Sequence, residues 1–303
     1  MKKFLLNCAI FLLLLIGINL AGYFYLSKNV LYKKYIVPIK KFSTCHSLFL
    51  GDSHSNAIRQ TDLNTLDIGN FSFDGDSYFD ILAKLDYLIP RHKPDTVFLC
   101  VDDHTLSKYR ESWMNKERSI YYAPYSLYKK YYHYSGSKFL LKKYGLFYFP
   151  FFNTKNSKVF GAYLISKFHP APEHNYTNFD FAKLKEQDRI QRSENRFKTQ
   201  FPSQESSKLL THCLNDIIEN CKKNHITLIG LKFPLTGEYI KVQGDMSYHA
   251  DRVLQSQGIP VWDFRQSLTG QDSLFRDQDH LNNAGSKVFV GLLQQKINLD
   301  KTQ

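Results

Sequence analysis

Two short polar blocks near opposite ends of the chain hold the residues best suited to chemistry. Gly51-Asp52-Ser53-His54-Ser55 follows the apolar run His46–Leu50, as a buried strand entering a glycine turn would. Gly51 permits a tight turn and sets Ser53 at or near a helix N-terminus, where free N–H groups can hold an oxyanion. Taken alone, the block equally describes a serine-rich helix cap. The second block, Asp277-Gln278-Asp279-His280, stands after the last expected strand and before the last expected helix. Asp and His three apart in a loop can bring a carboxylate to an imidazole. The carboxylate then orients the ring and stabilises the imidazolium formed as it takes a serine proton. This makes Ser53 the candidate nucleophile, His280 its base and Asp277 the orienter, with Asp279 as the alternative. The competing reading gives Asp277 and Asp279 to capping of the last helix, shared with Asn282 or Asn283, and leaves His280 an ordinary surface histidine. Asp52, His54, Asp277 and His280 are also metal-ligand types, but the tight spacing of a motif such as H-x-x-x-H is missing. No metal or other cofactor is expected.

Both blocks need a scaffold that brings strand ends to one edge. Apolar runs at His46–Leu50, Thr65–Ser72, Thr96–Val101, Ile226–Leu231 and Ile259–Phe264 read as strands. Helical spacing over Tyr78–Ile89, Leu209–Cys221, Ser247–Gln255 and Asn282–Ile297 alternates with them. Continuous apolar strands alternating with helices imply a parallel sheet covered on both faces, an α/β three-layer, doubly wound, flavodoxin-like domain whose ligands sit at the strand C-terminal edge.

Between Thr105 and Gln200 the alternation stops. This stretch holds 12 of the 20 tyrosines and 18 Lys/Arg against 7 Asp/Glu, nearly the whole of the chain's net charge of +12. It reads as a partly helical insertion after the third strand. Its composition suits either a solvated cap or a cleft wall for an anionic or carbohydrate polymer, since aromatic faces stack on sugars and lysines attract anions. Basic residues among aromatics also suit single-stranded nucleic acid, a partner that a membrane anchor argues against.

Such an anchor is expected at the start. Twenty-four uncharged residues separate Lys3 from Lys28, and a helix of that length reaches about 36 Å, enough for a hydrocarbon core of about 30 Å. Tyr23 and Tyr25 fit an interfacial belt. A cleavable signal peptide is the rival, though no clean A-x-A site follows. Lys28, Lys33, Lys34, Lys40 and Lys41 pull the following domain toward the cytoplasm by the positive-inside rule, against the habit of short N-terminal anchors of exporting it. Cys213 and Cys221 lie two helical turns apart, too far to bridge, and Cys45 and Cys100 read as buried thiols.

The two polar blocks resemble those of the SGNH/GDSL hydrolases, which carry Gly-Asp-Ser near the domain start and Asp-x-x-His near its end, in the order found here. The resemblance spans roughly residues 46–104 and 205–298. It implies two further oxyanion donors. One is a glycine after the second strand, matched by Gly75 in Asn70–Gly75. The other is an asparagine after the third strand, where this chain has His104 at the end of Pro94–His104; an imidazole N–H can donate in its place. The single anchor, the serine block and the Asp-x-x-His-Leu ending look most like envelope-modifying branches. Those include the D-alanine transfer protein of teichoic acid modification and polysaccharide O-acetyltransferases and acetylesterases. The resemblance therefore implies a serine esterase or O-acyltransferase on a cell-envelope glycan, held in the membrane by one N-terminal span with its catalytic domain periplasmic or at the cell surface. The implied partners are an acylated glycan or other anionic envelope polymer, the membrane itself and a membrane acyl-donor protein, with no nucleic acid. A tethered glycan-binding or assembly protein that keeps the fold without turnover is the alternative. The expected domains are 1–27 (anchor), 28–45 (basic linker), 46–104 with 201–300 (α/β domain) and 105–200 (aromatic, basic insertion).

Overall fold

The five apolar runs become five strands: β1 (Ser47–Leu50), β2 (Ile68–Asn70), β3 (Thr96–Cys100), β4 (Thr227–Lys232) and β5 (Val261–Asp263). They form one parallel sheet in the order β2-β1-β3-β4-β5, the flavodoxin-like winding expected from the sequence. The computed structural model describes residues 1–42, 44–112, 116–145, 148–149 and 181–300. They fall into two units, Met1–Lys40 with Glu117–His174, and Lys41–Lys116 with Asn175–Gln303. The sheet belongs to the second.

Each strand is apolar on both faces because helices cover both. Phe49, Phe98, Ile229, Leu231 and Trp262 share a core with Phe289, Val290 and Leu293 of the last helix, Asn283–Asp300. The intervening residues Leu48, Leu50, Val97, Leu99 and Leu228 are equally buried and point to the other face, where helices Tyr78–Leu88 and Lys208–Lys223 pack together. The latter helix buries Leu210, Cys213, Leu214, Ile217, Ile218 and Cys221, a stripe at spacing three and four. Its two cysteines are free thiols. Local signals set the helix starts. Ser77 and Asp80 form a capping box before Tyr78, and Ser207 Oγ accepts from Leu210 N–H at 2.9 Å.

Two details differ from the sequence reading. β2 begins only at Ile68, because Asn64–Leu66 make a 3-10 turn and Asp67 takes a left-handed conformation at φ 54°. Residues 105–112 and 181–200 lie in the sheet unit, where the polar helix Glu186–Gln200 forms one side of the site described below.

In the first unit, Lys2–Gly22 is helical and winds on as wider π-type turns through Tyr23–Ile36, over part of the expected linker. Phe11 and Leu13 are 62% and 68% exposed, and Lys2–Tyr25, with a mean hydropathy of 2.5, is long and apolar enough to cross a membrane. An N-terminal signal sequence has the same character. Helices Tyr125–Tyr132 and Gly136–Leu140 build a small aromatic core of their own, with the buried Tyr128 ring 5.4 Å from Phe139 and 5.3 Å from Tyr134. Some of the tyrosines weighed as either a solvated cap or a cleft wall thus pack on one another. Residues 113–115, 146–147 and 150–180 of the expected insertion lie outside the described residues.

Candidate active site

The chain turns from β1 into the short helix Ser53–Asn56 across Gly51 and Asp52. Gly51 is required by space: a Cβ there would lie 2.1 Å from Ser55 Oγ and 2.6 Å from Cys100 Cβ. Asp52 caps the helix, its Oδ1 accepting from His54 N–H at 3.0 Å. Asn70, at the end of β2, donates from Nδ2 to Ser55 O at 2.8 Å and Ile58 O at 2.6 Å, pinning the far side of the same helix. Ser53 is left half-buried on a turn whose neighbours Asp52, His54 and Ser55 are buried.

The second block arrives after β5. Ser53 Oγ lies 2.8 Å from His280 Nε2. On the other side of the ring, Nδ1 lies 2.8 Å from Asp277 Oδ1 and 3.1 Å from Asp279 Oδ1. Asp277 Oδ1 also accepts the backbone N–H groups of Asp279 and His280, at 3.1 and 2.9 Å, so the loop folds around that carboxyl group. Helix capping falls to Asn282 instead, whose Oδ1 accepts from Ala284 and Gly285 N–H at 3.0 Å. Burial opposes a charge on His280, but Asp279 and then Asp277 raise its pKa above the ordinary histidine value.

Behind this row lies a buried layer of charge. Asp279 is fully buried, and its Oδ2 accepts from Arg196 Nε at 2.6 Å, from Gln200 Nε2 at 2.9 Å and from His54 Nε2 at 3.1 Å. Burial would raise its pKa; Arg196 first, then His280 and His54, hold it well below the usual carboxylate range. His54 Nδ1 meets Asp102 Oδ2 at 2.7 Å, and Asp102 Oδ1 accepts from Phe233 N–H at 2.8 Å. Burial pushes His54 down, yet Asp102, Asp279 and Asp52 together raise its pKa to about 10. Arg196 and Gln200 sit four apart on one face of their helix, aimed at one carboxyl oxygen. Tyr239 Oη in turn donates to Gln200 Oε1.

The two expected oxyanion residues lie on adjoining turns. Gly75, at φ 78°, is the corner of a turn closed by Asp76 N–H on Phe73 O at 3.0 Å. A positive φ there explains the glycine. Asn56 Nδ2 donates to Asp74 Oδ1 at 2.8 Å and so ties this turn to the Ser53 helix. Two buried cations brace it: Lys84 pairs with Asp76 and donates to Phe71 O, while Arg110 donates to Asp76 O and pairs with Asp52 at 3.1 Å. The backbone N–H groups of Ser53 and Gly75 have no acceptor among the described residues. His104, matched to an asparagine donor by the resemblance, faces Asp52. Its Nε2 is 3.0 Å from Asp52 Oδ2, and burial lowers its pKa, so the neutral ring gives that N–H to Asp52.

A second buried cluster is built on the next residue, Asp103, in the turn after β3. Asp103 Oδ1 accepts from Lys232 Nζ at 2.6 Å and Ser247 Oγ at 2.7 Å, and Oδ2 from Gln243 Nε2 and Arg265 Nη1, each at 2.7 Å. Lys232 also pairs with Asp251 at 2.7 Å. Burial works against ionisation, but Lys232 and its neighbours lower the Asp103 pKa to about 2.

The four residues weighed as metal ligands do not converge as a set. His54 groups with Asp279 and His280, and separately with Asp52 and His104, and each of these side chains is already engaged with a protein partner. Sequence reasoning missed Asp102, Arg110, Arg196 and Gln200, and weighed His54 only as a metal ligand. One signal was available: Asp102-Asp103-His104 follows a strand end, the same edge as Ser53. Arg196 had none, since its helix reads as a polar surface element.

No family model matches the chain, and no curated protein sequence matches it. Among solved structures, it is similar to a candidate acylhydrolase from Bacteroides fragilis NCTC 9343, at 12% identity and a TM-score of 0.40 over 90% of this chain and 97% of that one. It is also similar to a GDSL-like lipase from Bacteroides thetaiotaomicron VPI-5482, at 10% identity and a TM-score of 0.40 over 89% and 98%. The α/β fold itself rests on the strand order and parallel pairing above.

Proposed function

We propose that the chain is a serine-dependent ester hydrolase or O-acyltransferase of the SGNH/GDSL type. The observation that carries this reading is the row Asp277 Oδ1–His280 Nδ1–His280 Nε2–Ser53 Oγ, with both contacts at 2.8 Å. In that row Ser53 attacks the ester carbonyl carbon and gives its proton to His280 Nε2. The carbonyl oxygen becomes an oxyanion held by the N–H groups of Ser53 and Gly75; losing one such donor costs about 3–4 kcal/mol in the barrier. His104, with Nε2 on Asp52, is left out of that pair. Collapse expels the alcohol, which takes the proton back from His280 and leaves an acyl-serine. Attack by water then gives hydrolysis, and attack by a sugar hydroxyl gives transfer.

The substrate in this proposal is an acylated glycan of the cell envelope, with the membrane and an acyl-donor protein as partners. Support comes from the apolar N-terminal helix and from the resemblance of the two blocks to envelope-modifying members. In this reading the helix is an uncleaved anchor and the sheet unit is extracytoplasmic. The test is reaction of the full chain in detergent, wild type and Ser53→Ala, with p-nitrophenyl acetate and a fluorophosphonate. Turnover and labelling lost in Ser53→Ala support an activated serine; a folded wild type that reacts with neither removes the proposal.

A further inference from the structure

We infer that His54, the residue after the proposed nucleophile, is a positioning residue for His280: a buried imidazolium on the far side of Asp279 that holds the His280 ring through that carboxyl group and keeps it a base. The inference rests on the serine-hydrolase reading for its purpose and on geometry for its substance. Both His54 nitrogens face carboxyl oxygens, Asp102 Oδ2 at 2.7 Å and Asp279 Oδ2 at 3.1 Å. A neutral imidazole has one N–H to give, so only the protonated ring donates to both. The residue is 3% exposed, which leaves the pairing to protein groups.

Asp279 turns its other oxygen to His280 Nδ1, where Asp277 already sits. Two carboxyl groups on one imidazole nitrogen favour the imidazolium, and an imidazolium cannot accept the serine proton. His54 and Arg196 answer that by charging the back of Asp279 from the positive side. The His54 and His280 rings also meet edge to face with centroids 4.9 Å apart, so a cation on one directly opposes a proton on the other. The groups that set this balance are Asp52, Asp102, His104, Cys100 and Arg110 around His54, and Asp277, Asp279 and Arg196 around His280. His54 therefore limits how far two carboxyl groups raise the proton affinity of the histidine they orient.

The test uses the full chain in detergent with two variants. His54→Gln keeps an N–H donor without the charge. Asp102→Asn loosens His54 from the side away from His280. Each is followed by the pH dependence of fluorophosphonate labelling and by NMR titration of the His280 ring, with near-ultraviolet circular dichroism to show the fold. Removing the neighbouring cation raises the His280 midpoint, and the acidic limb of labelling moves up by about one pH unit in His54→Gln and less in Asp102→Asn. Labelling near pH 6 falls several-fold and recovers at alkaline pH, which a merely structural role would not produce. Combined with Asp279→Asn, the His54→Gln shift is smaller than in its absence, because His54 acts largely through that carboxyl group. A His280 midpoint unchanged in folded His54→Gln, or in Asp102→Asn should the first variant not fold, overturns the inference. If wild type fails to label while the His280 midpoint still moves, the hydrolase reading falls and the coupling between the two histidines stands.

Discussion

Asp102 and Asp103 are consecutive residues at one strand end, both 3% exposed, yet they serve two unlike clusters. Asp102 joins a cluster built on histidine, where surroundings set each charge: neighbouring carboxyl groups raise His54 to about 10, while burial lowers His104. Asp103 joins one built on Lys232 and Arg265, whose charges are fixed at neutral pH. The first borders the half-buried Ser53; the second ties β4 to the segments carrying Gln243, Ser247 and Asp251. Both follow β3 where the chain enters a turn, so one segment supplies a histidine cluster on one side and a cluster of fixed charge on the other. A protein can adjust the first without loosening the fold only if the second holds.

That contrast is sharpest when each cluster is broken in turn. His280→Gln removes the proposed base and is expected to lower kcat/KM for p-nitrophenyl acetate by roughly 10³-fold or more, while the melting temperature shifts little. Asp103→Ala should do the reverse. It strands Lys232 and Arg265 without their shared partner, a loss of about 3–5 kcal/mol read by denaturant unfolding. Activity per folded molecule should stay within a few-fold. Equal damage to both properties by either variant would dissolve the distinction.

pH separates the clusters more gently. The Asp103 pKa is depressed to about 2, so its stabilisation is complete above the ordinary aspartate value of about 3.9 and fades only as acid takes the pH from there toward 2. His54 is raised to about 10, so its contribution is complete below about 6.5 and fades as the pH climbs from there toward 10. Calorimetric melting from pH 3 to 10 should therefore lose stability at both ends for different reasons, and His54→Gln should flatten the alkaline side alone. Ester turnover should meanwhile rise with pH through a midpoint above the ordinary histidine range, as His280 deprotonates. The smallest effect is expected for Asp251→Asn. Asp251 is the second partner of Lys232 and is partly exposed, so about 1 kcal/mol is expected in the same unfolding measurement.

The sheet was legible because its strands are apolar runs bounded by turn residues, and so were the two blocks whose loops meet at its edge. Ser53 and Asp277–His280 could be paired from sequence because each follows a strand on the same edge of a doubly wound sheet. His54 could not be given its partners that way. Its contacts reach 48 residues along the chain to Asp102 and 225 to Asp279, and no local spacing encodes which strand end lies beside which. Arg196 was hidden by its helix, which is polar nearly all round and reads as solvated. His104 shows the opposite failure: its position in a motif suggested an oxyanion donor, but burial beside Asp52 decides where its N–H goes.

Ser53 and His280 stand 227 residues apart, and this separation has a consequence for how the molecule is made. A ribosome delivers the chain N-terminus first, at about 5–20 residues per second. Ser53, Asp102 and Arg196 thus emerge well before the loop that carries the base exists. Until Asn282 starts the last helix and Phe289 seats in the sheet core, Ser53 is an ordinary alcohol with no proton acceptor beside it. If Ser53 is the proposed nucleophile, a nascent chain would pass acyl esters without reacting. In the proposed reading, reactivity toward a fluorophosphonate would appear only in finished molecules, and the serine would report its own chain's completion.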